Sequence, residues 1–289
     1  MSTIYIKKGL SFLQLNGKVL FVLVFFISFY AFNISIDKIE RYYLGVKPGV
    51  TIEGRDISYL LEKEVELVIK ELAIKNQKLP EEPYIDRESG EIIPEQSGYI
   101  VDIPLTLSKV LSANEYESIN IVKKKTKPTY TSEDIEKSNE TIGYYKTGIH
   151  GSSDRIKNLK LASDAINNRL IWPNNIFSFN EIVGPRTPNR GYLPAPIIFK
   201  GETILDYGGG VCQIASTLYN AVTESELEIV ERHTHSKPIG YVPVGKDATV
   251  YYGYKDLKFK NNKNNPIIVM SGIDQGYVWV KILGRGKNE

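Results

Sequence analysis

From Val19 to Ile36 the chain is apolar on every side of a helix. In VLFVLVFFISFYAFNISI the only polar residues, apart from the amphipathic Tyr30, are Ser28, Asn33 and Ser35. Eighteen residues rise about 27 Å as a helix, close to the hydrocarbon thickness of a bilayer. Lys7, Lys8 and Lys18 precede the run, so the positive-inside rule leaves residues 1–18 in the cytoplasm and the bulk of the chain outside. No small-residue cleavage site of the A-x-A type follows. The expectation is a single-pass anchor over residues 19–36, facing lipid. A cleaved signal peptide and a buried soluble helix are the competing readings.

The pattern then changes. Lys47-Pro48-Gly49 is a turn signal, and Val50–Ser58 alternates apolar and polar like a strand. Over residues 58–76, Leu61, Val65, Val68, Ile69 and Leu72 recur at helical spacing, with Ser58 as a candidate N-cap. Short strands are expected around Tyr84–Asp86 and Ile92–Pro94 with a turn at Gly90. A further strand is expected over Ser97–Asp102, then a helix over Pro104–Leu111 opened by its proline. These make a small α+β domain over residues 50–125. Residues 123–140 (KKKTKPTYTSEDIEKSNE) read as a charged linker, with 126–140 separating the domains.

A second domain is expected over residues 141–289. Asp154–Leu170 places Ile156, Leu159, Ala162, Ala165, Ile166 and Leu170 on one helical stripe, ended by Trp172-Pro173. Strands are expected at Ile176–Phe179, Pro196–Lys200, Leu227–Val230 running into His233 and His235, Ile239–Val244, Ala248–Tyr252, Asp256–Phe259, Pro266–Met270 and Tyr277–Leu283. A helix carrying Ile214, Leu218 and Val222 follows Cys212. The whole chain is α+β: an apolar anchor helix, a small α+β domain, then an α+β domain with an antiparallel sheet and a glycine-loop, cysteine and helix element.

Composition narrows the function classes. The chain has 289 residues, enough for two folded units, and a net charge of +2, too near neutral for a nucleic-acid binder. There is one cysteine, Cys212, which excludes an intramolecular disulfide and a four-cysteine zinc site. No phosphate loop, dinucleotide fingerprint or internal repeat occurs, so no nucleotide and no cofactor is expected.

Three blocks carry a resemblance. They are IGYYKTG with SSDRIKNLKLASDAINNRLIWPNNIFSFNEIVGPRT; GYLPAPIIFKGETILDYGGGVCQIASTLYNAV; and ERHTHSKPIGYVPVGKDATVYYGYKDLKFKNNKNNPIIV. In order and over about half the chain, they resemble the VanW family, which takes its name from vancomycin-resistance clusters. The resemblance implies a cell-wall context and supplies no established reaction. Pro83–Leu111, with its IIPE and G-Y-x-x-D, resembles the small peptidoglycan-binding module found before VanW domains. A plain spacer domain is the alternative for that segment.

The candidate chemistry therefore comes from the residues themselves. Gly208, Gly209 and Gly210 precede Cys212, and the helix that follows puts the thiol at a helix N-terminus, where the dipole favours a thiolate. A thiolate nucleophile wants a histidine and an orienting acid. His235 is preferred over His233 because His235-Ser236 fits the family block better; Asp247 completes the expected Cys–His–Asp set. His150 sits in a glycine-flanked loop and is placed least well. Gln213 could serve an oxyanion hole through its side chain or its N–H. The substrate-binding expectation covers Gly208, Gly209, Gly210, Gln213, His233, Arg186 and Arg190, with Arg155 and Arg232 as further carboxylate partners. Competing readings stay open: a buried apolar cysteine, or a zinc site from Cys212, His233 and His235. Two functions follow, a cysteine hydrolase or acyl transferase on peptidoglycan stem peptides, or a non-catalytic wall-binding or scaffold protein.

Overall fold

The structure, a computed structural model, describes residues 17–199 and 201–286. The expected cytoplasmic stretch 1–18 lies outside them except for Gly17 and Lys18. The described residues fall into two compact units: one takes those up to Leu79 together with Gly98–Thr126, the other Pro80–Ser97 together with the chain from Lys127 on.

In chain order the elements begin α1 Gly17–Leu44, β1 Thr51–Ile52, β2 Arg55–Asp56, α2 Glu62–Asn76, β3 Tyr84–Ile85, β4 Ile92–Ile93, β5 Gly98–Val101, α3 Ile103–Leu111, β6 Ser118–Ile119 and β7 Lys123–Thr126. They continue α4 Ser132–Glu136, β8 Glu140–Gly148, α5 Ser153–Ile166, β9 Arg169–Ile171, β10 Ile176–Ser178, α6 Phe179–Val183, β11 Pro194–Phe199 and β12 Glu202–Tyr207. The last are α7 Val211–Glu224, β13 Glu228–Glu231, β14 Lys258–Lys260, β15 Ile267–Asp274 and β16 Tyr277–Gly284.

Helix α1 follows the apolar run and extends past it. Its stretch Leu20–Leu44 is long and apolar enough to cross a membrane, and its apolar window is not buried inside the protein. Phe21, Phe25, Phe26 and Ile27 all stand exposed. Beyond the run, Arg41 pairs with Asp37 one turn earlier and with Glu64 of α2.

The first unit has its own core of Val50, Ile52, Ile57, Val65, Ile69, Val101 and Val110. Helix α2 buries Val65, Val68 and Ile69, the stripe expected from spacing. Its N-cap is Leu61 rather than Ser58. Ser58 is committed elsewhere: its hydroxyl donates to Asp56 and accepts from the Gly49 N–H. Glu64 at the third helical position accepts from the Leu61 N–H instead. Asp102 caps α3, accepting from Leu105 N–H, with Pro104 in the first turn. The basic run Lys123–Thr126, read as the start of a linker, is strand β7 paired with β5. Its lysines are exposed, as suits an edge strand that must not recruit another.

The second unit is built on an antiparallel sheet ordered β8-β16-β15-β9. β16 alternates, burying Val278, Val280 and Ile282. β15 is apolar at both parities because both its faces are covered. Ile267 and Val269 join the core shared with α5 and α7. Ile268 packs with Ile85 of β3 and Ile135 of α4. Residues 127–139 are likewise tied down: Glu82 accepts from the Thr129 and Tyr130 N–H groups, and Glu95 from that of Ser132. A smaller sheet, β10-β14-β13, stacks Phe177 on Phe259 at 4.8 Å.

Some elements differ from the pattern reading. Helix α5 stops at Ile166 instead of Leu170, because Asn168 adopts a left-handed φ of 55° and the chain turns into β9. Ile156 stays exposed, off the buried stripe. β15 runs on to Asp274, so the expected loop 271–276 shrinks to a two-residue turn, Gln275-Gly276, both with positive φ as a tight hairpin needs. The largest difference is at residues 239–252, expected as two strands: the structure has no ladder there, only one isolated bridge between Tyr251 and Lys255.

Candidate functional site

Three glycines shape the approach to Cys212, each for its own reason. Gly208 has φ +82° and Gly210 φ +108°, conformations that side chains resist. A Cβ on Gly208 would stand 2.7 Å from the stem of Arg186, and one on Gly210 would stand 3.1 Å from the stem of Arg155. A Cβ on Gly209 would meet the Ala195 carbonyl oxygen of β11 at 2.5 Å. The triplet thus lets two arginines and a strand close on the loop. Gly210 is the N-cap of α7, so Cys212 falls in the first helical turn, where unpaired N–H groups favour negative charge.

Cys212 is half-buried at the floor of a cleft of about 1010 Å³, lined among others by Arg155, Arg186, His235, Tyr241 and Thr249. The Val250 N–H points at its sulfur at 3.5 Å, with the Thr249 hydroxyl at 3.6 Å. Burial would push the thiol up, but the hydrogen bond from the His235 ring and that ring's positive charge outweigh it, leaving Cys212 below the ordinary thiol range. His235 is displaced the other way. Burial would lower it, but its bonds and attractions to Cys212 and Asp247 hold it above the usual histidine range.

Asp247 fixes that ring. One carboxylate oxygen meets both the His235 Nδ1 and the His235 backbone N–H at 2.7 Å. The His235 side chain is only 7% exposed, so its orientation is set by protein and not by water. Burial would raise Asp247, but the His235 backbone bond, the ring bond and the ring charge keep it ionised below the usual range. Arg232 braces the same turn: its Nε donates to the Asp247 carbonyl at 2.7 Å, and its guanidinium lies 4.3 Å over the Tyr219 ring.

The structure therefore hydrogen-bonds the His235 ring to Asp247 and brings that ring and Cys212 together on the lining of one cleft. The sulfur lies at a helix start and the imidazole on an extended segment beyond the end of β13. Arrayed this way, the thiol can be held as a thiolate beside an imidazolium, a nucleophile with its own proton donor.

The other expected residues divide. Gly208, Gly210, Gln213 and Arg186 line the cleft. Gln213 does so with its donors spent: its Nε2 donates to Thr147 Oγ1 and the Gly148 carbonyl, and its N–H to the Gly210 carbonyl. It clamps the helix start to β8 and offers nothing to an oxyanion. Gly209 is buried against β11. Arg190 donates to the Val183 carbonyl at 2.8 Å, away from the cleft lining. His233 turns to Glu231 at 2.9 Å, so it shares no ligand set with Cys212. Among the described residues no three metal-ligating side chains converge. His150 is exposed, and its carbonyl accepts from Arg155.

Residue pattern alone missed the parts that hold this geometry. Asn220 of α7 donates to the Lys246 carbonyl at 2.7 Å, and Ser216 exchanges bonds with the Ala248 carbonyl and N–H. The Thr249 N–H donates to the His233 carbonyl. The only signal for Ser216 and Asn220 in the sequence is polarity at i and i+4 on an otherwise apolar helix.

The VanW family model, described as VanW like protein, matches residues 154–283, which contain Cys212, His235, Asp247, Arg155 and Arg186. The chain is 38% identical over 201 residues to the uncharacterized protein YoaR of Bacillus subtilis (strain 168), covering 67% of this chain and 66% of that protein. It is 31% identical over 114 residues to the vancomycin B-type resistance protein VanW of Enterococcus faecalis (strain ATCC 700802 / V583), covering 38% of this chain and 42% of that one. The chain thus spans less than two thirds of the length of either relative. No solved structure matches it. The blocks read from the sequence, the matching model and both relatives agree: the chain belongs to the VanW-like family.

Proposed function

We propose that this protein is a membrane-anchored cell-envelope enzyme, a cysteine-dependent hydrolase or acyl transferase acting on the stem peptides of peptidoglycan. The observation that carries the reading is the His235 ring, oriented by Asp247 and lining the same open cleft as Cys212. In this reaction the Cys212 thiolate attacks a peptide carbonyl carbon. The tetrahedral oxyanion collapses, the C–N bond breaks, and the His235 imidazolium gives its proton to the departing amine. The acyl group is left on sulfur as a thioester. Neutral His235 then takes a proton from water, giving hydrolysis, or from an incoming amine, giving transfer, and the thiolate is restored. Asp247 holds the ring in the tautomer that faces sulfur through Nε2.

The setting is supported by the apolar α1 and by the lysines before it, which favour an anchor with the folded units outside the cytoplasm. The name of the Enterococcus relative, a vancomycin B-type resistance protein, is consistent with work on the wall. The first unit suits a wall-contacting module or a plain spacer.

The test uses full-length protein in detergent micelles with purified wall fragments, products being read by mass spectrometry. New peptide products from wild type and none from Cys212→Ala support the enzyme. If Cys212→Ala binds wall and functions in cells as well as wild type does, the protein is the non-catalytic binder instead.

A further inference from the structure

Arg155 and Arg186 are the two arginines that line the cleft, and neither has an anion of its own among the described residues. Arg155 donates to the His150 carbonyl and to Gln213 Oε1, both neutral. Arg186 donates to Asn180 Oδ1 through one nitrogen, while its Nη2 is buried with no hydrogen-bond partner. Neither forms an ion pair with Asp or Glu among the described residues. Arg232 and Arg41, by contrast, both do. Burial pushes both guanidinium groups down, which is the signature of cations taken from water without full compensation. Tyr241 acts favourably on Arg155 and Tyr192 on Arg186, but burial pushes both phenols up and keeps them neutral; the negative group the two arginines share is the Cys212 thiolate. Asp256 reaches Arg186 more weakly, and its oxygens are already committed to Ser178, Asn180 and Leu257.

Both side chains line the cleft, one on each flank of the glycine loop, whose missing side chains make room for their stems. Two planar guanidinium groups beside one nucleophile, each with no carboxylate, form a receptor short of its anion. Arginine meets carboxylates two-pronged, and such bonds strengthen in a cleft shielded from water.

We infer that Arg155 and Arg186 form a carboxylate-binding subsite next to Cys212, so that the substrate is a peptide presenting a carboxylate close to the bond attacked. This rests on the nucleophile reading above and adds the substrate's charge to it. The subsite also keeps the arginines compensated once sulfur is acylated and no longer charged.

Cys212 is the single cysteine of the chain, so its alkylation is read directly from the intact mass of the full-length protein. The probes are iodoacetate, which carries a carboxylate, and iodoacetamide, which does not. Their rate ratio cancels the thiolate fraction. The ratio is expected about tenfold above that of free glutathione, the order for one partly screened charge pair, and to fall as salt is raised. Arg155→Gln and Arg186→Gln should each reduce it severalfold, while Arg186→Lys retains part of it. An iodoacetamide rate within a few-fold of wild type shows that each variant keeps its cleft. The salt dependence in wild type stands whether or not a variant folds. A glutathione-like ratio with rapid iodoacetamide labelling overturns the subsite and leaves the nucleophile standing. Slow labelling by both reagents overturns both. Two further arms test the ligand: N-acetyl-alanyl-alanine should protect Cys212 from iodoacetamide and its C-terminal amide should not. Equal protection by the two would refute a carboxylate requirement.

Discussion

Helix α7 and residues 232–255 both supply the cysteine centre, yet their backbones are held in opposite ways. In α7 the ladder of the helix satisfies the chain, and a buried stripe of Ile214, Leu218 and Val222 seats it on the core. Residues 239–250 have neither helix nor ladder. Beside two backbone bonds, Lys246 N–H to the Pro243 carbonyl and Thr249 N–H to the His233 carbonyl, their polar groups are met by side chains: Asn220 and Ser216 from α7, Arg232 from the segment's own start, and the Cys212 sulfur at the Val250 N–H. A rigid element thus carries the nucleophile, and the same element's polar side chains position the residues that activate it. Irregular backbone is stable in the interior only when each buried N–H and C=O has a partner, and here the partners are discrete and removable.

The sharpest way to break this division of labour is at the imidazole. His235→Asn should reduce turnover of wall peptide by about 10²–10⁴-fold, the usual worth of a positioned proton carrier. It should also move the pH at which Cys212 alkylates upward. In the wild type the thiol lies low because of the His235 ring, and His235 lies high because of Cys212 and Asp247. The two shifts together favour a thiolate–imidazolium pair, which is lost as rising pH takes the proton from His235. Without the ring, the onset should retreat into the ordinary thiol range or above it, because burial then opposes the thiolate with less compensation. An unchanged alkylation profile would mean the ring does not activate the sulfur.

Removing a support tests the same contrast more gently. Asn220→Ala deletes the amide that holds the Lys246 carbonyl and should cost about 1 kcal/mol in chemical denaturation, the usual net worth of a hydrogen bond, here a partly buried one. Thr223→Ala, on the same helix, removes only an exposed bond to the Tyr219 carbonyl and should stay within about 0.5 kcal/mol. Equal costs for the two would show that the irregular segment does not depend on α7.

The smallest effect concerns Glu231, at the end of β13. Lys258 first, then His233, hold its carboxyl down to about 2 against some opposition from burial. A depressed carboxylate stabilises the fold at pH values above its ordinary 4.5, and that stability drains away as pH falls towards about 2. Glu231 is 30% exposed and Lys258 36%, so solvent screening limits the gain to about 1 kcal/mol. Glu231→Gln should be less stable than wild type at neutral pH and equal to it near pH 2; a gap that persists in acid would assign the effect to packing.

Much was legible from the chain because it is written locally. Helix α1 follows from a run with no polar face, and β16 from strict alternation of Val278, Val280 and Ile282. The glycine loop before a cysteine and an apolar helix placed Cys212 in the first turn of α7, since the glycines allow the turn and the stripe fixes the helix. His235 and Asp247 could be named with Cys212 as one set, but not the backbone that carries them, because the eleven residues between them form no repeating structure. Only the folded chain spent the donors of Gln213 on β8, turned His233 to Glu231, put Arg232 behind Asp247, and left Arg155 and Arg186 in the cleft with neutral partners and no anion. Periodicity reports which face of an element is buried. The partner of a polar group depends on which distant residue arrives there, and that is settled by packing alone.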